Sequence, residues 1–378
     1  MTPTQVRSVP FFDYPRLFTD EEEALVAIFR DVGRRGAFIL QQDLTRFEQR
    51  LAGYLGVQHV LGVANATDGL LIALRAAGIT SGEVIFSSHT MVATAAAIHF
   101  AGATPVAVEC GADHLIDAAS AEAAITPRTR AILPTQLNGR TADMEELASI
   151  AGKHGLAVIE DAAQALGSRF AAGPGERGRA AASFGVAGAI SFFPAKLLGC
   201  LGDGGAVVTD DDDVYDRMLQ LRDHGRGADG EIVSWGLNSR LDNLQAAILD
   251  HRLNAYPAAI ERRRHVARLY QERLGGFEEL RLPPAPDADM RHFDVYQNYE
   301  IEAARRYELR EHLRARGIGT LVPWGGKAVH QWEGLGFEVR LPFTESLFER
   351  LLLLPMNLSL TDEQAHEVCD AIESFYRR

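Results

Sequence analysis

The 378-residue chain is short of cysteine, of long apolar runs and of positive charge, and each shortage closes off a class of function. Its three cysteines, Cys110, Cys200 and Cys369, fit no metal-ligand spacing and cannot all pair with one another. A disulfide-dense scaffold is therefore not indicated, and a reducing, cytoplasmic compartment is expected. No stretch approaches the roughly 18 uninterrupted apolar residues of a membrane span. The opening MTPTQVRSVPFFDYPRLF lacks the basic-then-apolar order of an export signal. With 38 Lys and Arg against 51 Asp and Glu, the formal net charge is −13, which disfavours nucleic acid as an extended partner. Small anions remain admissible, because backbone N–H groups in a local pocket bind phosphate whatever the net charge. His89, His224 and His330 lie far apart without an HExxH-type spacing, so no metal site is expected.

What is present is a globular composition, 47% hydrophobic and 24% charged, with enough chain for two to three domain equivalents. Helices are predicted over about Asp20–Arg34 and Asp43–Leu55, the second from Leu44, Phe47, Leu51 and Tyr54 at three- and four-residue steps. Short apolar runs then alternate with helical stretches: 59–63, 83–86, 104–108, 130–134 and 156–160, followed by 189–193 and 205–209. This is the pattern of an α/β fold with a buried, mainly parallel sheet and helical crossovers. From Leu241 to Leu274 the sequence reads as a long helical stretch, broken or bent at Pro257. A strand over 296–301 and helices over 307–316 and 362–376 complete a smaller α+β unit. The expected division is a large α/β domain over 1–245, including the N-terminal segment, and a small domain over 246–378.

Three segments carry chemistry. In Ser191-Phe-Phe-Pro-Ala-Lys196-Leu-Leu-Gly199-Cys-Leu-Gly202-Asp-Gly204-Gly205, a lone lysine follows an apolar strand and precedes a glycine-rich loop. Desolvation disfavours its ammonium form, and the neutral amine is the species that condenses with an aldehyde; a surface lysine beside a turn has the same local sequence. In Ala157-Val-Ile-Glu160-Asp161-Ala-Ala-Gln164 an apolar strand ends in two carboxylates. Asp161 there suits either a ligand-facing acid at a strand's carboxyl end or a helix N-cap. In Val63-Ala-Asn65-Ala66-Thr67-Asp68-Gly69 small and hydroxyl-bearing residues open a helix, which suits a phosphate cradle or plain capping by Asn65 or Thr67. Gly173-Pro-Gly175-Glu-Arg-Gly178 has the spacing of a dinucleotide loop, but it lacks the strand before and the helix after, and is set aside.

In order, these segments resemble the DegT/DnrJ/StrS-type sugar aminotransferases, a branch of the fold-type I pyridoxal-phosphate enzymes. The resemblance spans nearly the whole chain and includes Ala66-Thr-Asp68, Ser87-Ser-His-Thr-Met-Val-Ala-Thr94, Glu160-Asp-Ala-Ala-Gln164, Ser191 to Lys196, Gly202-Asp-Gly-Gly205 and Gly236-Leu-Asn-Ser-Arg-Leu-Asp242. It implies a fold-type I architecture with a seven-stranded sheet. It implies pyridoxal 5'-phosphate as cofactor, with Lys196 as the Schiff-base lysine, Asp161 on the pyridine nitrogen and Gln164 near the ring hydroxyl. Ala66, Thr67 and Ser191 fall in the phosphate cradle, with Ala66 where relatives more often carry glycine. Asn238 matches an asparagine reaching the phosphate of the neighbouring subunit, which implies a homodimer with shared sites. Met91 departs from the aromatic residue usually stacked on the ring. A lysine at position 196, where a dehydrating branch has histidine, implies transfer of an amino group from an amino acid, glutamate being expected, to a keto-sugar. Gln136-Leu-Asn138-Gly139 departs from the His-Leu-Tyr-Gly of relatives acting on nucleotide sugars, so a free keto-sugar acid stays open beside a nucleotide-linked one. A non-catalytic, cofactor-binding regulator of the same fold is the other alternative. Asn138, Lys327 and His330 are the candidate substrate contacts.

Overall fold

Apolar runs of five residues are too short for a stable helix, and rich in valine, isoleucine and alanine they settle as strands. The computed structural model describes residues 8–171, 173 and 178–377. Its strands, in chain order, are β1 (His59–Val63), β2 (Glu83–Ser87), β3 (Thr104–Val108), β4 (Thr129–Leu133), β5 (Ala157–Asp161), β6 (Arg169–Phe170), β7 (Arg179–Ala180), β8 (Ala187–Ser191), β9 (Gly205–Thr209), β10 (Leu280–Arg281), β11 (His292–Phe293), β12 (Tyr299–Ala303) and β13 (Leu351–Leu354). Seven form one sheet in the order β1-β9-β8-β5-β4-β2-β3, with β9 antiparallel to both neighbours and the remaining pairs parallel. This is the mainly parallel α/β sheet expected from the sequence.

Alternation along the strands divides the core. Val60, Ile190, Ala206 and Val208 enter one apolar cluster, with Leu44, Phe47 and Leu51 of the helix Gln42–Leu55. Their neighbours Leu61, Ala189 and Val207 enter the other, with Leu70, Ile72 and Leu74 of the helix Ala66–Ala76. Both faces are thus covered, as a mainly parallel sheet requires. A smaller antiparallel sheet, β10-β12-β13, is packed by Tyr270, Val368 and Ile372 of the helices Tyr256–Leu274 and Asp362–Tyr376. Val9 joins that cluster, held by Val9 N–H to Gly317 O and Gly319 N–H to Val9 O. Val9 therefore rests on the C-terminal unit. The short strands β11, β6 and β7 form a third sheet.

Several boundaries differ from the sequence expectation for local reasons. The first helix starts at Tyr14 rather than Asp20, because Asp13 caps it and Pro15 suits a first turn. Of the two alternatives at Pro257 the break is the one present: one helix ends at Leu253 and a second begins at Tyr256 with the proline in its first turn. The expected strand at 296–301 begins only at Tyr299, since Tyr296 has φ +50°. The run at 189–193 pairs two residues earlier, over 187–191. Of the dinucleotide-like stretch, residues 174–177 lie outside the described residues.

Candidate active site

Because β9 runs against its neighbours, its first residue, Gly205, pairs with the last residues of β1 and β8, Val63 and Ser191. The carboxyl edge of the sheet thus brings together Ala66 and Thr67 after β1, Met91 after β2, Asn138 after β4, Asp161 ending β5, and Ser191 with Lys196 at β8. Ligands of open α/β sheets collect at this edge.

Glu160 and Asp161 point to opposite faces, as successive strand residues must. Glu160 is buried and accepts from the amides of Ala182, Phe184 and Gly185 and from Gln136 Nε2 at 2.7 Å, so its role is structural. No helix follows Asp161, which disposes of the capping alternative. Its Oδ2 accepts from Thr94 Oγ1 at 2.6 Å and its Oδ1 from Ala163 N at 3.1 Å. Thr90 Oγ1 lies 2.9 Å from both Thr94 Oγ1 and Thr135 Oγ1, extending a buried row of hydroxyls behind the carboxylate. Burial raises the Asp161 pKa, and the Thr94 bond opposes that rise.

Lys196 sits in the turn after β8, its N–H bonded to Phe193 O. Burial lowers its pKa to about 8, against the pull of the Asp161 charge, which makes the neutral amine accessible near neutrality. The turn is clamped by a distant residue: Gln297 Oε1 accepts from Leu197 N at 2.7 Å and Gln297 Nε2 donates to Ala195 O at 2.8 Å. Arg263 Nη1 in turn donates to Gln297 O at 2.6 Å.

At the start of the helix Ala66–Ala76, Asn65 Oδ1 caps the Asp68 amide. Among the described residues the Ala66 and Thr67 amides meet no protein acceptor and, with the dipole, form an anion seat. Both readings of this segment therefore hold, with capping by Asn65 and an open seat one residue on. Gly205 makes the close approach possible, since a Cβ there would lie 2.6 Å from Asn65 C and 2.7 Å from Ala66 N.

Gln164 Oε1 accepts from Asn138 N at 2.9 Å and from Asn298 Nδ2 at 3.1 Å. Both donors fix the amide orientation and leave Gln164 Nε2 as the outward donor. Asn138, at φ +55°, also donates Nδ2 to Glu300 Oε1 and accepts from Asn298 Nδ2, both at 2.9 Å. Behind this layer lies a cavity of about 380 Å³ lined by His114, Asn138, Arg140, Tyr296, Asn298 and Glu300, among others.

Comparison with known proteins decides the family. Residues 19–373 match the DegT/DnrJ/EryC1/StrS aminotransferase family. The chain belongs to this family. It is 40% identical to a dTDP-3-amino-3,4,6-trideoxy-alpha-D-glucose transaminase of Streptomyces venezuelae, over 98% of this chain and 97% of the relative. It is 38% identical to a pleiotropic regulatory protein of Geobacillus stearothermophilus, over 98% and 99%. Among solved structures, S. venezuelae DesV in complex with a ketimine intermediate superposes with a TM-score of 0.92 at 38% identity, over 98% of this chain and 99% of that one.

In this aminotransferase-family chain, the remaining sequence candidates stand as follows. Met91, expected over a cofactor ring, is 47% exposed and its Sδ accepts from Ala93 N, capping its own helix. Asn238 is exposed, at the end of a loop that presents Ile232, Val233 and Trp235 to solvent, the last at 94% exposure. Lys327 is exposed over the Trp332 ring. His330 is not available to a substrate: it is buried, with Nδ1 2.7 Å from Ser88 Oγ and Nε2 3.3 Å from Glu345 Oε1. The sequence reading missed Thr94, Gln297 and Asn298; Thr94 lies inside a quoted motif, but the other two gave no local signal.

Proposed function

We propose that the chain is a pyridoxal-phosphate-dependent aminotransferase that moves an amino group from an amino acid, glutamate by preference, onto a nucleotide-linked keto-sugar. The observation that carries the reading is one half-buried lysine and one buried carboxylate at the same sheet edge, beside an anion seat of free amides. These residues fit that cofactor: a helix start with open amides that packs on β9 only because residue 205 is glycine, an amine kept partly neutral, and an acid held by a short hydroxyl bond.

When bound, pyridoxal phosphate supplies an aldehyde and an electron-withdrawing ring. The chain's residues bind, orient and move protons. The Ala66 and Thr67 amides, with the Thr67 and Ser191 hydroxyls, would hold the phosphate. Asp161, oriented by Thr94, would hold the ring nitrogen in its protonated form. Gln164 Nε2 would donate to the ring hydroxyl. Lys196 Nζ would be the amine that holds the cofactor's aldehyde and the base that moves a proton at the substrate carbon, a role suited to a group titrating near 8. Met91, 47% exposed with its sulfur on the Ala93 amide, would lie beside the ring face. Asn138 acts through Gln164, and Lys327 is the remaining candidate for an anionic substrate group.

The sugar class rests on relatives named for dTDP- and UDP-linked sugars. The exposed apolar loop before Asn238 supports a homodimer in which Asn238 serves the partner's phosphate. Residues 1–245 would then supply most of the cofactor site, and 246–378 the Gln297 clamp and Asn298. The test is direct. Protein reconstituted with pyridoxal phosphate and desalted is expected to keep one visible-absorbing cofactor per chain, and Lys196→Ala to lose both that band and turnover. A colourless wild-type protein overturns the proposal.

A further inference from the structure

A cluster outside the lysine site brings together side chains from three distant segments: His89 after β2, His114 after β3 and Glu300 on β12. One potential ligand atom from each lies within 4.8 Å of the others. The geometry points to a divalent transition-metal site, Zn²⁺ by its donor set, formed by His89 Nε2, His114 Nδ1 and the Glu300 carboxylate and opening onto the cavity behind Asn138.

The spacing favours a shared cation over a hydrogen bond at His89. Its Nε2 is 3.5 Å from Glu300 Oε2 and is buried without a hydrogen-bond partner. Bonds of about 2.0–2.1 Å in a tetrahedral zinc site put ligand atoms roughly 3.3 Å apart. His114 Nδ1 lies 2.8 Å from Glu300 Oε1, so closing the site on an ion asks for a shift of about half an ångström there.

The groups around the ligands are those that orient metal-bound imidazoles and carboxylates. His89 Nδ1 is 3.0 Å from His114 O, and donation to that carbonyl leaves the lone pair on Nε2, aimed at Glu300. The other ring nitrogen of His114 faces Glu302 at 3.4 Å, and Glu302 is held by Arg350 at 2.8 Å. Glu300 receives Asn138 Nδ2. Two imidazoles and one carboxylate, with His114 and Glu300 also lining the cavity, match a zinc set with a fourth position for water or a cavity ligand. A proton on His89 Nε2, facing Glu300 at 3.5 Å, is the competing occupant. A bound ion would pin the loops after β2 and β3 to the C-terminal sheet and, through Asn138, steady Gln164. The site stands independently of the aminotransferase reading.

The holoenzyme, stripped with a chelator and dialysed, is titrated with Zn²⁺ against a chromophoric competitor, with bound metal counted by elemental analysis. The expected result is one zinc per chain at micromolar or lower free zinc, with Co²⁺ giving ligand-field bands. His114→Ala and Glu300→Gln should each weaken binding about 100-fold or more, and Glu302→Gln about 10–100-fold. His59→Ala, at the surface, should leave the count at one. Circular dichroism selects the variants that fold, and Glu302→Gln, which keeps all three ligands, serves if the others do not. No retained zinc in the wild-type protein, or binding unchanged in folded Glu300→Gln or Glu302→Gln, overturns the proposal in favour of a proton shared by His89 and Glu300.

Discussion

Replacing Thr94 by valine removes one hydroxyl, at nearly constant shape, from the Asp161 carboxylate. The bond lost is 2.6 Å long and wholly buried, and a hydrogen bond to a charged group contributes about 1.5–3 kcal/mol. At about 1.4 kcal/mol per pKa unit, the Asp161 pKa, already raised by burial, climbs by a further ~1–2 units. The sign follows from its role. Asp161 works ionised, so activity is lost as pH falls through its pKa, and raising that pKa moves the acid limb of kcat/KM upward by about 1–2 pH units. On that limb the variant should be about 10–100-fold slower than the parent and should recover toward it at higher pH. The assay is the pH dependence of 2-oxoglutarate formation from glutamate in parent and variant. Thr135→Val, two hydroxyls further from the carboxylate, should shift the limb less. A Thr94→Val profile superimposable on the parent's would refute the reasoning.

Gln297→Ala leaves the Leu197 amide and the Ala195 carbonyl without partners on either side of Lys196. It should lower stability by about 1–3 kcal/mol in a denaturant titration and kcat more than KM; unchanged kcat in folded protein would show that the clamp does not position the lysine. Gly205→Ala would press a Cβ into the start of the helix at Ala66. Cofactor dissociation, followed by loss of visible absorbance on dilution, should accelerate, and an unaltered rate would remove that helix end from the phosphate site. Because Lys196 titrates at about 8 rather than its ordinary 10.5, cofactor capture by the apo-protein should rise through pH 8 and level off above it. A rate still climbing at pH 10 would contradict the burial argument.

The sheet was legible because each strand is a five-residue apolar run bounded by helical periodicity, and Asp161 and Lys196 because they directly follow such runs. Their supports were not. Thr94 meets Asp161 across 67 residues, Gln297 meets Leu197 across 100, and His114 meets Glu300 across 186. Only folding sets such pairs side by side, so no spacing rule reaches them. His330 failed for the same reason in reverse: its loop looked open to ligand, but Ser88, 242 residues away, buries it. The hydrogen bond from the Ala93 amide to the Met91 sulfur likewise has no signal in the sequence.

The central claim is that one bound cofactor shuttles an amino group between an amino acid and a nucleotide-linked sugar, and a two-stage titration tests it most directly. Glutamate added to the holoenzyme should yield one 2-oxoglutarate per chain with loss of the visible band. A dTDP- or UDP-linked keto-sugar should then restore the band as the aminated sugar appears. Failure of the band to respond to any amino donor would contradict the account and favour a regulatory cofactor-binding protein. Restoration by a free keto-sugar acid but by no nucleotide-linked sugar would contradict the assigned substrate class.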